Sequence, residues 1–163
     1  MSQKITHILF ATDLSRNSAH AMVHAANLAQ ATGARLHVLH VAEPLSDDAR
    51  ITLQLFLQDK TARRDAIEMR SSHLREILQE RQKKFWAALP EDDRGAQELV
   101  DSIEIIEGHP AEVILRRAAE LNCDLIVLGA HDHGFSRTFL GTVAKRVLRR
   151  AEIPTLVVPY IED

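Results

Sequence analysis

The chain alternates between short, nearly unbroken apolar runs and longer segments in which apolar positions recur every three or four residues. Residues 4–12 (KITHILFAT) are the first run, the pattern of a strand covered on both faces within a parallel sheet. Asp13, Ser15 and Asn17 follow, all residue types that cap helices well. Residues 18–32 are alanine-rich, with Ala19, Met22, Ala26 and Ala29 on one helical stripe, and Gly33 is the residue type that commonly ends a helix. Residues 34–42 (ARLHVLHVA) are a second strand, which completes a βαβ unit.

The same rhythm returns in the second half. Residues 103–107 predict a strand, Gly108-His109-Pro110 a turn, and residues 111–121 a helix with Val113, Ile114, Leu115, Ala118 and Leu121 apolar. Residues 124–130 (DLIVLGA) predict another buried strand. Residues 137–151 predict a helix with Leu140, Val143, Ala144, Val147 and Leu148 on one face, and residues 155–160 (TLVVPY) a last strand. Five strands alternating with helices predict an α/β fold built on an open, doubly wound parallel sheet, because right-handed crossovers place helices on both faces.

Residues 44–99 break the rhythm and read as a helical insertion in a single domain spanning 1–163. Residues 62–89 predict one long amphipathic helix with an apolar stripe of Ile67, Leu74, Leu78, Phe85 and Leu89. Arg63, Arg64, Arg70, Arg75, Arg81, Lys83 and Lys84 fall on the other, solvated face. Ile51, Leu53, Leu55, Phe56 and Leu57 form a shorter apolar segment before it. Two roles are open: the stripe packs on the sheet, or the insertion is a lid or a partner surface with Trp86 as its anchor.

Composition narrows the function classes. The chain has 163 residues, 45% of them hydrophobic and 26% charged, as in ordinary globular domains. Its net charge of -3 points to neither nucleic acid nor an anionic membrane as a partner. Aromatic residues are only 4%, too few for a platform that stacks bases. No apolar run approaches a membrane span and no signal-peptide pattern opens the sequence, so the expected location is cytoplasmic. Cys123, the single cysteine, precedes a buried strand with no base nearby in sequence and reads as an inert thiol.

In an open α/β sheet, ligands bind beyond the carboxyl ends of the strands, where the strand order reverses. Ala11, Thr12 and Asp13 end the first strand. Leu128 and Gly129 end the fourth, followed by His131, Asp132, His133 and Gly134. Gly141, Thr142 and Val143 open the last helix. Glycines admit close backbone approach and a helix N-terminus offers unpaired N–H groups, so these segments together are a candidate phosphate cradle.

The sequence resembles the universal stress protein family. The resemblance rests on ILFATDLS, LHVLHVAE, EGHPAEVILRRAAELNCDLIVLGAH and FLGTVAKRVLRRAEIPTLVVPY, and it extends over essentially the whole chain except 44–99. It implies a sheet of order 3-2-1-4-5, usually a homodimer, and in many members bound ATP or AMP without a defined reaction. By position, Asp13 matches the family's acidic residue near the adenosine and Val41 its adenine contact. Gly141, Thr142 and Val143 match its phosphate-side turn. Nucleotide-binding members carry G-x-x-G, nine residues, then G-S/T. Here Gly129 matches the first glycine, Asp132 stands at the second, and eight residues rather than nine precede Gly141.

Two readings of function follow: a module regulated by ATP or AMP, with a divalent cation accompanying ATP, or a nucleotide-free interaction module whose loop is disabled by Asp132. No catalytic residue is assigned, and a weak ATPase is the most that enzymology would add. There is no G-x-x-x-x-G-K-[ST] loop and no G-x-S-x-G elbow. A response-regulator receiver fails too, since the third strand ends Ile106-Glu107-Gly108 and the fifth Pro159-Tyr160-Ile161.

His131, Asp132 and His133 are weak candidate metal ligands. His20 and His24 stand at i, i+4 without the metalloprotease Glu between them, and His37 and His40 point to opposite faces of one strand. The last strand, from Thr155 to Tyr160, is an apolar sheet edge in the family order, where two copies would pair as a homodimer. A further protein partner is expected at 44–99.

Overall fold

The computed structural model describes residues 3–130 and 140–159. Five strands, β1 (His7–Thr12), β2 (Arg35–Ala42), β3 (Val100–Glu107), β4 (Leu125–Gly129) and β5 (Thr155–Val158), form one sheet of order β3-β2-β1-β4-β5. Every neighbouring pair is parallel. The expected fold class and strand order are therefore observed. The helices are α1 (Arg16–Thr32), α2 (Asp47–Phe56), α3 (Lys60–Ala88), α4 (Pro110–Glu120) and α5 (Thr142–Arg150), with a 3-10 segment at Glu91–Leu99.

Strand alternation divides the core into two layers. Ile8, Phe10, Leu36 and Val38 face α1, the C-terminal half of α3 and the 3-10 segment. Leu9, Ala11, Leu39 and Val41 face α4 and α5. Each of these side chains larger than alanine contributes about 1.5–3 kcal/mol on burial, which fixes the register because a one-residue slip would exchange the layers.

The ends of α1 are chemically explicit. Ser15 caps it by accepting from the Ser18 N–H, and Gly33, at φ 73°, ends it in the left-handed conformation. The helix buries Ala21, Met22, Ala25, Ala26 and Ala29. Ala19, placed on the stripe by sequence, is exposed instead. The predicted helix over 137–151 begins only at Thr142 within the described residues, since Leu140 and Gly141 are not helical.

Residues 44–99 contain α2, α3 and the 3-10 segment. No residue of α2 is buried. Only the second half of α3 joins the core, through Leu78, Gln82 and Trp86. Trp86 is 5% exposed and packs with Leu78 beneath α1, so it belongs to the core and is not a surface anchor. Ile67, expected on the apolar stripe, is exposed. No helix among the described residues is long and apolar enough to cross a membrane.

Candidate functional site

A cavity of about 410 Å³ opens beyond the carboxyl ends of the central strands, within the range of small-molecule sites. Strand β1 contributes Ala11, Thr12 and, just past its end, Asp13. Val41 comes from β2 and Leu128 and Gly129 from β4, while Gly141, Thr142 and Val143 form the mouth of α5. Thus nine residues singled out by position share one cavity. His131, Asp132 and His133 lie outside the described residues.

Local hydrogen bonds hold this wall in place. Asp13 Oδ1 accepts from the Ser15 N–H (2.9 Å) and the Ser18 hydroxyl (2.5 Å), and Ser18 Oγ accepts from the Asp13 N–H (3.0 Å). The turn that makes this possible passes through Leu14, which has a left-handed φ of 67°. The Leu14 N–H donates to Thr12 Oγ1, and His40 Nδ1–H donates to the Thr12 carbonyl at 2.7 Å. Asn17 Nδ2 donates to the Ala130 carbonyl, which ties the N-terminus of α1 to the end of β4.

Helix α5 follows its N-cap Gly141 with no side-chain cap hydrogen bond. Its first N–H groups have no partner within the helix, and the macrodipole places partial positive charge there. Thr142 adds a hydroxyl. The chemistry on offer combines anion recognition at the α5 mouth with apolar contact at Val41, Leu128 and Ile114.

The sequence reading missed Arg70, Leu74, Ser18 and His40, all of which line the cavity. Arg70, expected on a solvated face, donates from Nη2 to the Glu43 carbonyl at 3.0 Å. Arg81, from the same set, donates through Nη1 to the Leu14 carbonyl. The signal is the spacing of four running Arg70, Leu74, Leu78, Gln82, Trp86, which places the arginine on the packed face, about two turns before Leu78. Cys123 is 5% exposed, and burial pushes its thiol up to about 11, as expected of an inert thiol.

Comparison with known proteins agrees with this architecture. The model of the universal stress protein family matches residues 4–159. The chain belongs to the universal stress protein family. Universal stress protein MJ0531 of Methanocaldococcus jannaschii is 32% identical over 154 residues, 93% of this chain and 80% of that protein. A universal stress protein of Thermus aquaticus, from the QAH/OAS sulfhydrylase 3' region, is 31% identical over 152 residues, 93% of this chain and 96% of its own. Among solved structures, a universal stress protein in complex with cAMP superposes with a TM-score of 0.61 at 22% identity, covering 96% of this chain and 98% of that one. As a universal stress protein, the chain places its cavity at the strand-order reversal between β1 and β4.

Proposed function

We propose that this universal stress protein binds an adenine nucleotide, ATP or AMP, in the cavity at the ends of β1 and β4, and that occupancy alters its conformation or partner affinity. The observation carrying this is the convergence of an apolar wall at Val41 and Leu128, the uncapped α5 N-terminus and Arg70 on one cavity. The adenine would lie against Val41 and the phosphates at Gly141, Thr142 and Val143, with a divalent cation accompanying ATP. The cAMP complex of the structural relative supports a nucleotide as the ligand class. Acid extraction of purified protein and calorimetry with ATP, AMP and cAMP test the proposal. Released adenine nucleotide or a saturable isotherm is expected; an empty extract with flat titrations of all three would end it.

A second reading, a nucleotide-free interaction module, draws on α2. Ile51, Leu55 and Phe56 are 53%, 69% and 81% exposed, an apolar surface of the kind that partners cover. Both readings include a cytoplasmic homodimer. β5 is the last strand of the sheet, and its outer edge has no neighbouring strand among the described residues. Antiparallel pairing of two copies along residues 155–160 would satisfy those backbone groups, and of these residues only Tyr160 lies outside the described ones. Light scattering at micromolar concentration should give twice the 18.3 kDa chain mass, and a monomer there would contradict the pairing.

A further inference from the structure

At the amino-terminal ends of the strands, away from the cavity, three adjacent strands bring two histidines and a carboxylate together. His7 opens β1, His37 lies in β2 and Asp101 in β3. One ligand-type atom from each lies within 4.8 Å of the other two. His7 Nδ1 is 3.2 Å from His37 Nε2. Two nitrogens on one tetrahedral ion, each bonded at about 2.0–2.1 Å, lie at a similar separation. We propose that His7, His37 and Asp101 bind a divalent transition-metal ion of the zinc type, with water completing its coordination.

Each ligand is already held by a neighbour. His37 is 6% exposed, and its Nδ1 is 2.8 Å from Ser102 Oγ. With Nδ1–H donating to that hydroxyl, Nε2 carries the lone pair directed at His7. A histidine oriented by a hydrogen bond at its other nitrogen is the usual arrangement of a metal ligand. The His7 backbone N–H donates to Asp124 Oδ2 at 3.0 Å, and Thr6 adds two more bonds to that oxygen. Asp101 is positioned by an irregularity in the sheet. The β2–β3 register runs Leu36↔Val100 and then His37↔Ser102, so Asp101 is an extra residue. Such bulges re-aim side chains.

Arg35 donates to Asp101 Oδ1 through Nε (2.8 Å) and Nη2, which leaves Oδ2 for the metal. Its charge opposes a cation, and Arg117 is a second guanidinium near His37, so Asp101 and Glu104 balance the two cations and the site rests on the geometry of its ligands. The imidazole rings lie 5.5 Å apart and 21° from parallel, so they meet nitrogen to nitrogen. Without metal this is an N–H···N bond. On binding, the half-buried His7 ring turns and its Nδ1 proton moves through water to Nε2, so that both lone pairs converge with both imidazoles neutral and no net proton released. Two imidazoles favour zinc, cobalt, nickel or copper over magnesium or calcium.

The test uses the full chain, stripped with chelator and titrated with Zn²⁺ by calorimetry without nucleotide. One stoichiometric event is expected. It should weaken about tenfold in Ser102→Ala, by the general size of such supporting contacts, and further in His7→Gln and Asp101→Asn. A His131→Ala/His133→Ala variant should retain it, which separates this site from that histidine pair. His7→Gln and Asp101→Asn alter residues that are not fully buried, and thermal melts establish that they fold. Histidine ¹⁵N spectra should show Zn²⁺ perturbing His7 and His37. The assignment is overturned if wild type shows no stoichiometric event, or if His7→Gln and Asp101→Asn bind Zn²⁺ as wild type does.

Discussion

The side chain of Asn17 occupies the space that any residue larger than glycine would need at position 129. A Cβ built on Gly129 meets Asn17 Nδ2 at 3.0 Å and the Asn17 carbonyl oxygen at 3.4 Å. This close approach lets α1 lock onto the end of β4 beside the cavity. Gly129→Ala should destabilise the fold by about 1–3 kcal/mol through overpacking. Truncating Asn17 removes the nearer contact, so the double variant Gly129→Ala/Asn17→Ala should recover at least about 0.5 kcal/mol relative to additivity. Urea denaturation of the four proteins measures that coupling, and additive costs would refute the packing account.

Arg70 is the cationic side chain that α3 brings to the cavity, anchored by its bond to the Glu43 carbonyl. Its guanidinium is held at Glu43, two residues past Val41, in the same cavity as the α5 mouth, and its charge attracts the phosphates while it meets no charge on the base. Arg70→Gln should lower ATP affinity about tenfold, the equivalent of one charge-assisted hydrogen bond, and leave adenosine binding within about twofold. Equal losses for ATP and adenosine would show that Arg70 shapes the cavity without recognising phosphate.

The parts of this molecule legible in its sequence are those governed by local periodicity. Apolar runs such as 124–130 identify strands because a two-sided sheet leaves them no polar face. The cavity was legible too, since it lies where the strand order reverses. The orientation of α3 was not. Its helical period admits several stripes, and only tertiary contact selects Leu78, Gln82 and Trp86 over Ile67. The His7–His37 pair depends on the β1–β2 register, and the approach of Asp101 on a bulge; neither leaves a mark in local sequence.

Glu104 and Arg117 join β3 to α4. Glu104 accepts from Arg117 Nε at 2.8 Å and Nη2 at 2.6 Å, with the two side chains 30% and 24% exposed. The guanidinium holds the Glu104 carboxyl below its ordinary value. A folded-state pKa below the unfolded one gives stability that is fully present above the unfolded value, about 4.3, and lost as pH falls through the folded value. Glu104→Gln should therefore cost about 1–2 kcal/mol at neutral pH, and the difference from wild type should shrink as acid protonates Glu104. Paired urea titrations across that range check it; a pH-independent gap would point to shape rather than charge.

Trp86 and Phe56 make opposite predictions although both are aromatic residues of the 44–99 stretch. Trp86 packs with Leu78 and meets Phe85 edge-on at 4.9 Å. Trp86→Ala should cost about 3–5 kcal/mol, because the neighbours close only partly around the space it leaves. Phe56 is 81% exposed, and Phe56→Ala should change stability by no more than about 0.5 kcal/mol. Trp86 is the only tryptophan, so its emission reports this packing directly. Native protein should emit at short wavelength and resist acrylamide quenching until denaturant frees α3 from the sheet. Native emission already at the solvent-exposed wavelength would place Trp86 outside the core and reopen its role as a partner anchor.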